Sequence, residues 1–274
     1  MTGAEEKVGE RANLRFKLKF NDCAYTHRMS DQFGGVSDDH LWGSPDTVRG
    51  GRPRLVDRAY GAIRDNLIAL RIEPGAPLDE RQLSAQLNVG LTPVRDAIKR
   101  LTLERLVVTY PRRGTFAAEI HISDERWLTE ARTGLEGLAA LLAAERASEA
   151  DRATLIELNN KLEASLSATT SAIAVSMDDA AVHRAIYAAA HNPYLETTLN
   201  QYINAGLRIW HYAIRSLGSH HAHPCDQSEV VAAIIARDGA RARGAAEGHL
   251  LNYSVEVRRL LQLNPQALRQ GPSA

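Results

Sequence analysis

Residues 78–116, LDERQLSAQLNVGLTPVRDAIKRLTLERLVVTYPRRGTF, set two short helices around a tight turn and follow them with a basic hairpin, an order that few folds accept. The first helix would turn Leu83 and Leu87 inward at i, i+4, with Asp79 as its N-cap and Glu80 in the positive first turn. Asn88-Val89-Gly90 breaks it. For the second helix the sequence predicts Thr92 as N-cap and Pro93 at the first helical position, where a missing N–H costs nothing. Val94, Ala97, Ile98 and Leu101 then form its inner face, which leaves Arg95, Lys99 and Arg100 on other faces. Leu106–Tyr110 and Thr115–Ala118 are short apolar runs joined by Pro111-Arg112-Arg113-Gly114, a strand, turn, strand pattern. A winged helix-turn-helix reads this way. The competing reading is a small helical subdomain with solvating arginines, and it gives no reason for a capped helix, a Gly turn, a helix-start Pro and an Arg-Arg-Gly hairpin to occur in that order.

A formal net charge of zero argues against a wholly basic nucleic-acid binder, so the distribution of charge decides. Residues 51–119 hold 12 Lys and Arg against 8 Asp and Glu, whereas residues 1–50 hold 7 against 8 and residues 120–274 hold 14 against 17. The positive excess lies where phosphate contacts would need it. With 274 residues, 44% of them hydrophobic, the chain can bury two cores. Cys23 and Cys225 are far apart and suggest neither a disulfide framework nor a thiolate metal cluster. No apolar run approaches the roughly 18 residues of a membrane span. The first twenty residues lack a signal-type apolar core, so a cytoplasmic location is expected.

Residues 1–50 lack sustained periodicity and read as a mostly disordered extension, or as translation upstream of a start such as Met29. Leu55, Ala59, Ile63, Leu67 and Leu70 then mark one helical stripe that runs to Glu73-Pro74-Gly75. The DNA-binding unit is expected at 51–119, with a connector at 120–124. Helices are expected at 125–147, 150–168, 173–190, 194–217, 226–237 and 240–263, broken at His191-Asn192-Pro193, Gly218 to Pro224 and Asp238-Gly239, with a frayed tail at 264–274. The expected fold is mainly α, a winged helix-turn-helix with a small β wing followed by an all-α antiparallel bundle at 125–263.

Asp179 and His183 lie four apart on one expected helix, so a carboxylate and an imidazole leave the same face and could grip one divalent ion. From spacing alone an exposed i, i+4 polar pair is the favoured reading. The histidines in the breaks, His191, His220, His221 and His223, are expected in solvent.

The whole pattern, LTPVRDAIKRL in the helix-turn-helix followed by DAAVH, HNPYL, AIIARD and a terminal GHL, resembles the GntR family of bacterial transcription regulators, FadR-type branch with an FCD ligand-sensing domain. The resemblance covers about residues 51–263. It implies a homodimer that binds double-stranded operator DNA, more often as a repressor, and changes affinity when a small carboxylate-type metabolite enters the helical domain. It places Arg81, Thr92, Arg95 and Gly114 near DNA, with Lys99, Arg100, Arg112 and Arg113 as further contacts. An Arg early in a major-groove helix can pair bidentately with guanine O6 and N7, and this favours Arg95 as the specificity residue. Leu91 stands where the family usually has an Arg. The resemblance also implies effector contacts at Arg132 and Asn192, a guanidinium fork being suited to a carboxylate. An exposed helix Arg is the plainer reading of Arg132. For a divalent metal such as zinc the implied ligands are Asp179, His183 and His249. The remaining position falls on Gln227, whose neutral amide suits a borderline ion less well than imidazole. Two rival readings stay open: a metal-dependent enzyme with His183 or His249 as base, and a regulator that has lost ligand sensing.

Overall fold

The computed structural model describes residues 54–168, 171–215 and 227–263. The expectations for residues 1–50, Cys23, Cys225, the histidines at 220, 221 and 223 and the tail at 264–274 lie outside the described residues.

Helix α1 spans Leu55–Ile68 and buries Ala59, Ile63 and Leu67 completely. It ends before the expected Leu70, which is buried but takes a left-handed φ of 55°. That turn lets the Arg71 and Ile72 amides both reach the Asn66 carbonyl. Helix α2, Glu80–Leu87, starts at Asp79, whose Oδ1 accepts from the backbone N–H of Arg81 at 2.8 Å and of Gln82 at 3.0 Å. It stops at Asn88, in the left-handed region at φ 50°, which Asn tolerates better than most residues.

Helix α3, Leu91–Leu103, corrects one expectation. Its N-cap is Gly90, so Thr92 is the second helical residue and Pro93 the third. The proline is still harmless there, because the first helix bond is the Val94 amide to the Gly90 carbonyl and the earlier N–H groups have no helical partner. Val94, Ala97, Ile98 and Leu101 face the core as expected. Strands β1, Val107–Tyr110, and β2, Gly114–Ala117, pair antiparallel with Val107 opposite Ala117 and Tyr110 opposite Gly114. Arg112 at φ 63° and Gly114 at φ 102° make the turn between them.

The connector is shorter than expected, since α4 already begins at Ile122 and runs to Arg146. Asp124 accepts from the His121 amide at its start. Helix α5, Glu149–Ser167, opens on a reciprocal Ser148–Asp151 capping box. Helices α6, Ala172–Ala189, and α7, Pro193–Ile214, follow, the latter capped by Asn192. Helices α8, Ser228–Ile235, and α9, Gly239–Leu263, close the described chain. Glu125 lies near Arg258, Gly137 near Glu247 and Leu141 near Gly239, so α4 and α9 run antiparallel along their length. Fully buried Ala139, Ala140, Ala143 and Ala144 of α4 share a core with Ala242 and Ala246 of α9, and such small side chains allow close approach.

A second apolar cluster joins the two parts. Leu70 from the first unit and Ile120 from the connector pack with Trp210, Ala213 and Ile214 of α7 and with Tyr253, Val257, Leu260 and Leu261 of α9.

Candidate DNA face and sensor cavity

The basic residues of the first unit divide into two sets. Arg81, Thr92, Arg95, Lys99, Arg112, Arg113 and Gly114 are exposed. Arg95 Nε pairs with Glu80 Oε2 at 2.7 Å, joining the second helix of the motif to the first, and Lys99 pairs with Asp96 at 3.1 Å. Both are solvent pairs that a phosphate or base can replace at little cost. Arg100 does not join them. Its guanidinium carbon lies 3.7 Å from the Tyr60 ring centroid and its Nε 3.5 Å from Glu104, so it is packed toward α1. Tyr60 donates its hydroxyl to Glu104 at 2.9 Å, and burial with the Glu104 charge pushes the phenol up to about 12.

In the helical domain, α6 supplies Asp179 and His183, α9 supplies His249, and Gln227 immediately precedes α8. Asp179 and His183 are buried, which overturns the exposed-pair reading. His249 is partly exposed as a residue, yet its ring nitrogen turns inward. One ligand atom from each of Asp179, His183 and His249 lies within 4.8 Å of the others. Gln227 is 1% exposed, and its Nε2 stands 2.8 Å from His183 Nε2, 2.9 Å from His249 Nε2 and 3.2 Å from Asp179 Oδ1.

Arg132 is 4% exposed and not on the surface as the plainer reading had it. Its Nε donates to Glu136 Oε1 at 2.6 Å, and the other Glu136 oxygen lies 3.1 Å from His183 Nδ1. Burial alone would lower the Arg132 pKa, but Glu136 outweighs it and holds the group above its usual range. Burial would raise the Glu136 carboxyl, and the Arg132 and His183 charges outweigh that, holding it well below the usual carboxylate range. His183 is likewise pulled down by burial but raised overall by Glu136 and Asp179. His249 is driven to about 4 by burial and by His183. Tyr187 places its hydroxyl 3.3 Å from His183 Nδ1.

Arg132, Asp179, His183, Ile203, Gly206, Leu207, His249 and Tyr253 line one tight cleft with about 10 Å³ of free interior, room for about one water molecule. A second cleft of about 10 Å³ lies across the same two histidines, walled by Glu136, Tyr187 and Gln227. Asn192 is not among the residues lining either cleft. Its Oδ1 accepts from the Leu195 amide as the α7 cap, so the structure gives this expected effector contact a local role. His191 is exposed and pairs with Asp151.

Sequence reasoning missed Glu136, Tyr187 and the α7 residues that hold the first unit. Arg132–Glu136 and His183–Tyr187 were visible as i, i+4 pairs, whereas nothing local marks the contacts of α7. Arg208 donates to the Ala118 carbonyl at 2.6 Å, His211 Nδ1 to the Ile68 carbonyl at 2.8 Å, and Arg215 forms a two-point pair with Glu73. Arg184 of α6 is half-buried beside α7, donating to Asn200 at 2.7 Å and Asn204 at 2.8 Å. Burial and the nearby Arg64 charge bring it down to about 10.

The family described as bacterial regulatory proteins, gntR family, matches residues 55–117, and the FCD domain family matches residues 127–252. The repressor GlaR of Escherichia coli K12 is 27% identical over 203 residues, 70% of this chain and 90% of that protein. The Nta operon transcriptional regulator of Aminobacter aminovorans is 36% identical over 88 residues, 32% of this chain. This chain spans 42% of the length of that relative and of a Streptomyces ambofaciens regulator that is 35% identical over 106 residues, 38% of this chain. Among solved structures, E. coli McbR/YncC superposes with a TM-score of 0.66 at 22% identity, covering 78% of this chain and all of that one, a likeness of fold.

Proposed function

We propose that this chain, which belongs to the gntR family of bacterial regulatory proteins and carries an FCD domain, binds operator DNA through α2, α3 and the wing and releases it when a small carboxylate-type metabolite enters the helical domain. Residues 51–119 are the DNA-binding domain in this reading and 125–263 the sensing and dimerisation domain. Repression by a cytoplasmic homodimer is the form we favour, because GlaR and RspR, both relatives, carry repressor in their names. No described helix is long and apolar enough to cross a membrane.

One observation carries the reading. On α7, Gly206 and Leu207 line the cavity, while Arg208 and His211, within the next turn, hold the Ala118 and Ile68 carbonyls of the DNA-binding unit. An occupant that displaces α7 therefore acts on the first unit through hydrogen bonds, without an intervening element. Allosteric coupling requires a ligand contact that differs between two states, and α7 offers the route for one. Arg132 is the cation offered to a carboxylate. It is already paired with Glu136, so a ligand gains only by exchanging with that partner or by sharing the guanidinium fork.

On the DNA side, Arg95 supplies base recognition and Arg81, Thr92, Lys99, Arg112, Arg113 and the Gly114 backbone supply phosphate contacts. Arg100, packed on Tyr60, supports α3 against α1. Mobility shift of the purified protein on its own upstream DNA, at varied salt, tests the reading. Saturable binding with a steep salt dependence is expected. Equal affinity for bulk DNA would sink it.

A further inference from the structure

The ion implied by the FCD fold fits three residues here and not the fourth. Asp179, His183 and His249 turn three lone-pair donors toward one point, as a divalent ion requires. What faces them is a carboxamide. We propose that the buried Gln227 amide takes the place of the ion, holding Asp179, His183 and His249 together by hydrogen bonds so that the cavity is organised without metal.

Which atoms can donate decides the arrangement. His183 Nδ1 lies 3.1 Å from a Glu136 carboxylate oxygen, and a carboxylate only accepts, so the ring proton belongs on Nδ1. When the ring is uncharged that leaves Nε2 with a lone pair, and the Glu136 and Asp179 charges that raise its pKa compete with this state. Asp179 Oδ1 presents lone pairs toward the same place, and so does His249 Nε2 in the tautomer with its proton on Nδ1. Acceptors converging in a buried site need either a cation or N–H groups, and the two amide hydrogens serve the histidine nitrogens at 2.8 and 2.9 Å, with Asp179 Oδ1 at 3.2 Å sharing one of them. The amide orientation is assigned from this network. Rotating it to present the oxygen would remove these hydrogen bonds and set a second acceptor against Asp179 Oδ1. As it stands, the amide hydrogens carry partial positive charge into the space where a cation would sit. The backbone fixes the residue there: the Gln227 carbonyl accepts from the Val231 amide in the first turn of α8.

The proposal rests on the sensor reading only for the role of the cavity. Its test reads metal, so failure of operator binding and failure of this proposal are separate results. The full chain is purified without chelator from zinc-supplemented medium and its metal content measured by mass spectrometry. Melting temperature is followed with added zinc and with EDTA. The wild type is expected to hold no stoichiometric metal and to melt at the same temperature in both. Gln227→His, which offers the imidazole, is expected to gain about one zinc per chain and to be stabilised by it. About one ion per wild-type chain, lost in Asp179→Ala, would overturn the proposal. So would a Gln227→His variant with native circular dichroism that takes up no zinc. The wild-type measurements decide even if that variant does not fold.

Discussion

The carbonyl oxygen of Ile68, the last residue of α1, accepts a hydrogen bond from Nδ1 of His211, 143 residues further along the chain, at 2.8 Å. Burial lowers the His211 pKa from 6.5, with the Ile68 bond opposing, so in the folded protein the ring stays neutral with its proton on Nδ1. The unfolded chain titrates at the ordinary value. It takes up a proton that the native ring refuses, so this contribution to stability is present above pH 6.5 and is lost as pH falls below it. His249, lowered to about 4, has the same sign, and His183, raised, has the opposite one, its share being lost as pH rises above 6.5. Replacing His211 with Gln isolates the first term. Urea melts from neutral to mildly acid pH should show a shallower loss of stability in H211Q than in wild type, and identical slopes would refute the assignment.

Arg95→Ala should weaken specific operator binding by about 1–3 kcal/mol, some tenfold or more, with little change for unrelated DNA. The Arg95–Glu80 pair is mostly in solvent, with side chains 55% and 32% exposed, so its loss should leave thermal stability nearly unchanged. Mobility shifts paired with circular dichroism melts measure both. Unaltered discrimination would show that α3 is not the reading helix.

Leu91→Arg should restore the basic residue that the family resemblance places just before Thr92. Leu91 is the first helical residue of α3 and only partly buried, so the longer side chain can be accommodated. DNA affinity should rise, and the slope of binding against salt should steepen by about one further phosphate contact. An unchanged slope would mean that the start of α3 does not approach the backbone.

Gly206→Ala should disturb the sensor cavity selectively. A Cβ there would lie 2.6 Å from Arg132 Nη1, and Glu136 holds that guanidinium at 2.6 Å from its other side. The expected cost is about 1–3 kcal/mol in a thermal melt. Adding Arg132→Lys, which removes Nη1 but keeps a charge for Glu136, should recover part of it. Strictly additive losses in the double variant would count against the clash.

Much of the fold was legible because local signals agreed. Asp79 caps as a short carboxylate should, and Val94, Ala97, Ile98 and Leu101 share one helical face by spacing alone. The Thr92-Pro93 start misled because a Thr-Pro pair satisfies the same local rules two residues later than the Gly90 cap the backbone uses. Asp179 and His183 could be paired by spacing, but their burial depends on α4, α8 and α9, which no local pattern aligns. The Gln227 position came only through family resemblance. Its contact with three side chains on two other helices is a property of packing. Arg208 and His211 were invisible for the same reason: a backbone carbonyl as partner leaves no trace in residue type.

The nearness of Gly206 to Arg208 on α7 also bears on how such a protein can change. A lineage that acquires a new effector must remodel the wall at Gly206 and Leu207. Any tilt of the helix that accommodates the new molecule moves the anchors of the first unit with it. On the function proposed above, ligand preference and resting operator occupancy are therefore expected to change together. Substitutions that retune one are expected to need companions at Ala118, Ile68 or their α7 partners, so divergence among copies of such a gene should proceed by paired rather than single steps.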